Sequence, residues 1–145
     1  VKSVVYNEKV NWGEKSVGMQ TTDAAGGRGI LKIYILDKES REIQRLLSWL
    51  SQDRRVSAEV FGDSQALVNR IAEAPAEICI VRLGLLDIQG LRTAAEIKKI
   101  HPGAKIIFIS NDGDYALDAY EVGAAGYLLC PVKRDKFEKC LREVI

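Results

Sequence analysis

The chain has little of what most often announces chemistry. Its 145 residues include one histidine, three cysteines, three prolines and one methionine. Cys79, Cys130 and Cys140 are odd in number and lack metal-ligand spacing, which argues against a disulfide scaffold and against zinc. His101 precedes Pro102 at an expected helix end and reads as a solvated cap. One such histidine gives no Ser-His-Asp or Cys-His arrangement, so no enzyme is expected. No apolar run approaches the ~20 residues of a membrane helix, and no secretory signal is visible, so a cytoplasmic setting is expected. Charge is balanced as well. Twenty-one Lys and Arg against twenty Asp and Glu leave a net charge of +1. That gives no polybasic face, and direct nucleic-acid binding by this domain is not expected.

What is present is ordinary for a soluble domain, with 47% apolar and 28% charged residues. The length suits one domain with its own core. Residues 1–29 stand apart as an N-terminal extension or linker: they are polar, end in Ala24-Ala-Gly-Gly-Arg-Gly29, and show strand character only over Lys2–Trp12. A tag remnant, a mis-assigned start near Met19 or a partner-binding arm would all read this way. Those glycines follow no strand, so they are not a dinucleotide fingerprint.

From Ile30 to Ile145 the rhythm is regular. Leu31–Leu36, Val56–Phe61, Ile78–Val81, Ala104–Ile109 and Gly126–Cys130 read as strands. Between them lie helical stripes: Ile43, Leu46, Leu47 and Leu50 after a Ser40 cap, then Ala66, Leu67, Ile71 and Ala72. Further helices are expected over Leu91–Ile100, Tyr115–Val122 and Arg134–Ile145, the last with Phe137, Cys140, Leu141 and Val144 inward. Alternating strands and helices with short loops predict a doubly wound parallel sheet, order 2-1-3-4-5, of the flavodoxin-like kind.

The central stretch is Ile78-Cys-Ile-Val-Arg82-Leu-Gly-Leu85, followed by Asp87 and Gly90-Leu91. It resembles the middle strand of response regulator receiver domains of two-component signalling, with Leu83-Gly84-Leu85, Asp87 and Gly90-Leu91 in register. The later half, Ile106–Ser110 and Asp114–Val132, is similar to receivers that precede a DNA-binding domain of the LytTR kind. A rival register would make Asp87 the phosphoacceptor at the end of a strand Leu85–Ile88. It would put Arg82 and Gly84 inside a buried strand and leave too short a loop before Gly90.

The resemblance implies a phosphorylation pocket of two acids after the first strand, an acceptor aspartate, a Ser or Thr and a Lys, with Mg²⁺ among the acids. Here Asp37 is kept, Lys38 replaces the second acid and Arg82 replaces the acceptor. Ser110 is kept, and Cys130 stands for the lysine before Pro131, a proline commonly cis in the family. Arginine has no nucleophilic oxygen and stays protonated, so the resemblance becomes that of a pseudo-receiver with no metal and no cofactor. Arg82 is expected to form an ion pair with Asp37, because the first and third strands are neighbours. The cations near Cys130 would lower its thiol pKa and permit a redox role, though a small filler in place of lysine is the plainer reading. Tyr127 matches the family's switch aromatic. Tyr120, Glu121, Lys133, Lys136 and Arg142 are expected at a protein or homodimer interface on the fourth helix, fifth strand and fifth helix. Two functions follow. One is a signalling protein working through protein contacts, as the regulatory half of a transcription regulator or a stand-alone adaptor. The alternative is a domain that binds a small anion through Arg82 and Lys38.

Overall fold

The computed structural model describes residues 30–85 and 88–145. The expected extension 1–29 and Asp87 lie outside the described residues. Strands β1 (Leu31–Leu36), β2 (Val56–Phe61), β3 (Ile78–Leu83), β4 (Lys105–Ser110) and β5 (Gly126–Leu129) form one sheet, paired in the order β2-β1-β3-β4-β5. Every pairing is parallel. Helices α1 (Ser40–Leu50), α2 (Ser64–Glu73), α3 (Gly90–Ile100), α4 (Ala116–Glu121) and α5 (Arg134–Val144) alternate with the strands, and a 3-10 turn, Gly113–Tyr115, leads into α4. This is the doubly wound architecture, with the strand order 2-1-3-4-5, that the alternating pattern predicts.

The strand period of two sorts the core into two layers. Ile33, Ile35, Ile78, Ile80, Ile107 and Ile109 face α1 and α5, where they meet Ile43, Leu46 and Phe137. Tyr34, Leu36, Cys79, Val81, Ile106 and Phe108 face the other side, against Leu67, Ile71 and Ile97. A strand buried on both faces reads as a continuous apolar run, which is why β3 could be recognised.

Several local expectations are corrected. β3 does not stop at Val81 but continues through Arg82 to Leu83, so Arg82 is a strand residue and is buried. A charged residue is tolerated there because a carboxylate meets it. Helix α1 is capped by position Glu39 with no side-chain bond, and Ser40 is already helical. Asp63 does cap α2, accepting from the Ala66 amide at 3.0 Å. Ala72 is exposed, since Leu67 and Ile71 already fill the inner face of this short helix. The fourth helix is shorter than expected: Asp112 folds the chain into the 3-10 turn at one end, and Gly123 ends it with φ +91°.

Two glycines position the loop after β3. Gly84 has φ +96°, a left-handed conformation that glycine adopts without strain. A Cβ at Gly90 would lie 2.6 Å from the Arg82 carbonyl oxygen and 2.6 Å from Leu83 Cδ2, so only glycine lets α3 start this close to β3. The strand ends before Leu85, and the Ile88 amide bonds back to the Leu85 carbonyl at 3.1 Å. The rival register needs a strand across Leu85–Ile88, and neither Leu85 nor Ile88 is a strand residue.

Candidate functional site

The carboxyl ends of β1, β3, β4 and β5 meet under a cavity of about 640 Å³. In open α/β sheets this is where sites are built. The register aligns Leu36 with Val81 and Arg82 with Ile109, so Asp37 and Arg82 project to the same face from adjacent strand ends. Both are 1% exposed. The guanidinium grips the carboxylate in bidentate fashion, Nε to Oδ1 at 3.0 Å and Nη2 to Oδ2 at 3.0 Å. The expected pair is therefore present and fully desolvated.

Each partner is satisfied beyond the pair. Asp37 Oδ1 also accepts from the Lys38 amide at 2.7 Å and the Glu39 amide at 3.1 Å. Arg82 Nη1 donates to Asn111 Oδ1 at 2.7 Å and to Cys130 Sγ at 3.2 Å. Four guanidinium–acceptor contacts thus spread over three partners, of the five N–H groups an arginine carries. Burial works to lower the Arg82 pKa, but the Asp37 hydrogen bonds and charge outweigh it, and the cation is held more firmly than usual.

Sequence reasoning missed the α1 side of this cluster. Glu42 is buried, and both carboxylate oxygens lie 3.3–3.4 Å from the Val132 amide. Arg45 donates to the Val132 carbonyl and lies over the Trp49 ring at 5.3 Å. The segment after β5, with its cis Cys130–Pro131 bond, is thus clasped by two side chains of α1. A weak signal for Glu42 existed: it falls four residues before Leu46, on the inward stripe of α1.

Of the other expected site residues, Ser110, Cys130 and Pro131 line the cavity beside Arg82. Lys38 is exposed and does not line the cavity. Ser110 is buried, and its Oγ accepts from the Asp112 amide at 3.1 Å, not from Arg82. Tyr127 is half-buried and donates to the Asp112 carbonyl. Cys130 corrects an expectation. Burial pushes its thiol up to about 12, more than the neighbouring Arg82 lowers it, so the structure offers no activated thiolate. Among the described residues, no group of three or more His, Cys, Asp or Glu is placed to share a metal ion.

Of the expected interface residues, Tyr120, Glu121, Lys133 and Lys136 are exposed on α4, the segment after β5 and α5. Arg142, on α5, is exposed too. It lines a groove with Trp49, Leu50 and Leu141 on the α1-facing flank of α5. Lys139, three residues before Arg142, shares the exposed side of α5 with it, and Lys136 lies further round the helix. No described helix is long and apolar enough to cross a membrane.

Comparisons with known proteins agree with this fold. Over 117 residues the chain is 26% identical to a sensory transduction protein, LytT, of Bacillus cereus, covering 79% of this chain and 47% of that one. It is 24% identical over 115 residues to a positive alginate biosynthesis regulatory protein of Pseudomonas aeruginosa, covering 78% of this chain and 46% of that one. The chain therefore spans about half the length of these curated relatives. A CheY-like response regulator receiver domain from Methanospirillum hungatei superposes with a TM-score of 0.71 at 19% identity, over 80% of this chain and 94% of that one. The family model for the response regulator receiver domain matches residues 33–142, and the chain belongs to that family.

Proposed function

We propose that this receiver domain signals through protein contacts and accepts no phosphoryl group at the position its family uses. The observation that carries the proposal is the buried bidentate pair of Arg82 with Asp37. By the register of the Leu83-Gly84-Leu85 segment, Arg82 stands where the family has its acceptor aspartate, and it offers no oxygen nucleophile. Its partner Asp37 already receives four hydrogen bonds. A Mg²⁺ ion would have to strip them and sit against a guanidinium, so the residues present do not fit that metal. The test is mass spectrometry after incubation with acetyl phosphate or phosphoramidate and Mg²⁺. The expected result is unchanged mass. An adduct mapped to Asp37 or Asp87 would overturn the reading.

The contact surface we favour is the α4–β5–α5 face, with a second copy as partner. Leu117, Tyr120 and Leu129 are 72%, 54% and 58% exposed there. Asp112, Asp114, Asp118 and Glu121 make the α4 side acidic, while Lys133, Lys136 and Lys139 make the adjoining flank of α5 basic. An isologous pairing would set each acidic side against the other copy's basic flank. The similarity to LytT and the alginate regulator supports a place in transcription regulation.

The anion-binding alternative has less support. Arg82 is spent on internal partners and Lys38 does not line the cavity. Sulfate or phosphate should raise the melting temperature no more than chloride at equal ionic strength. A selective rise would revive it.

A further inference from the structure

Helix α4 is unusual in how little holds it. Of its six residues only Ala119 is buried, and its exposed Leu117 and Tyr120 face outward. A helix this short with one buried alanine cannot set its own position by packing. Its position must come from its ends. The C-terminal end is closed by backbone bonds, Gly123 to Tyr120 at 3.0 Å and Ala124 to Ala119 at 3.1 Å. The N-terminal end is held by Tyr115, which packs against the core, and by the loop of Asn111 and Asp112 before it.

Those two residues are tethered to the interior. Asn111 Oδ1 accepts from Arg82 Nη1 at 2.7 Å, although Asn111 itself is exposed. Asp112 accepts from Tyr127 Oη through its carbonyl, and through Oδ1 from the Asp114 amide at 2.8 Å, which folds the 3-10 turn into α4. Arg82 in turn cannot move, because Asp37 holds it at two points in a buried site. A hydrogen bond from a buried, immobilised cation is among the stronger ones available to a loop.

We infer that Arg82 is a positioning residue for the α4 surface, acting through Asn111. The buried Arg82–Asp37 pair is a fixed strut, and the Asn111 tether carries its position to the first turn before α4. The apolar and acidic residues of α4 are thereby presented in one standing geometry with no chemical input. The inference deepens the proposed contact surface and rests on it for its use in signalling, but the tether itself is a property of the single chain.

The test separates the two. In the N111A variant the Arg82–Asp37 pair stays intact, so hydrogen exchange in β1 and β3 should match the wild type. Amides from Asp112 to Val122 should exchange about tenfold faster. N111D, whose carboxylate can accept from the guanidinium, should restore wild-type exchange there. R82M should reproduce the N111A pattern in α4. Unchanged α4 exchange in N111A, or α4 amides already unprotected in the wild type, would overturn the inference. If faster exchange is seen while the wild-type protein stays monomeric in the ultracentrifuge, the tether stands and the homodimer surface falls.

Discussion

Two regions of this domain are built in opposite ways. At the top of β3, Arg82 and Asp37 are buried and their hydrogen-bonding capacity is nearly used up within the chain. A short distance along the sheet, α4 exposes Leu117 and Tyr120 and buries a single alanine. One region is closed on itself; the other leaves large apolar side chains exposed. A receiver that took its signal as a phosphoryl group would need the reverse at β3, an open acid cluster with ligand positions to spare. The contrast supports the proposed reading, in which this domain takes its input at its surface.

The sharpest way to break the comparison is to open the closed end. D37A would strand a buried guanidinium, and the expected loss is about 3–5 kcal/mol in urea unfolding. Pairing it with R82M should recover much of that loss, since a well-packed apolar replacement of a buried ion pair is often neutral or better. A double-mutant cycle on the two positions reads the coupling directly. A coupling near zero would mean that water, not Asp37, satisfies Arg82.

Much of the closed end was legible in the residues. From the sequence alone, the apolar run of β3 and the expected strand order put Asp37 and Arg82 on neighbouring strand ends. What escaped reading is everything contributed by long-range packing. Glu42 and Val132 are 90 positions apart, and nothing local links them. Asn111 looks like any loop residue until the depth of Arg82 is known. The extent of β3 was missed because a charged residue normally ends a buried strand, and only tertiary pairing reverses that rule. The Cys130 pKa failed for a related reason: the cation nearby was foreseen, but the burial that outweighs it was not.

The open end should respond to charge by a smaller amount. K136E with K139E, on the flank of α5 next to β5, should weaken self-association about tenfold, roughly 1.4 kcal/mol. R142E, at the edge of the Trp49 groove, should weaken it less. Sedimentation velocity over a concentration series distinguishes them. Equal weakening by both variants would point to a general charge effect and not to this surface.

The smallest effect expected is the alkaline limb of stability, and it tests whether the closed end is as dry as the core. Burial pushes the Cys79 thiol, in the apolar interior of β3, up to about 12. Cys130, beside Arg82, is raised to the same value by its own burial despite the cation. An unfolded thiol titrates near ~8.5. Above that pH the unfolded chain loses protons that the folded chain keeps, so it binds fewer, and unfolding becomes easier as pH rises. The stability tied to each thiol is fully present below about pH 8.5 and is lost progressively as pH climbs toward the folded values. For Cys79 the loss between pH 8 and 9 should be about 0.7 kcal/mol. C79A should flatten that limb whatever it costs in packing, because the slope and the offset are read separately. If the site around Arg82 is closed, C130A should flatten the limb in the same direction, and iodoacetamide should label Cys130 slowly at neutral pH in the folded protein. Rapid labelling at pH 7 would show that the guanidinium, not burial, governs this thiol, and that the upper end of β3 is open after all.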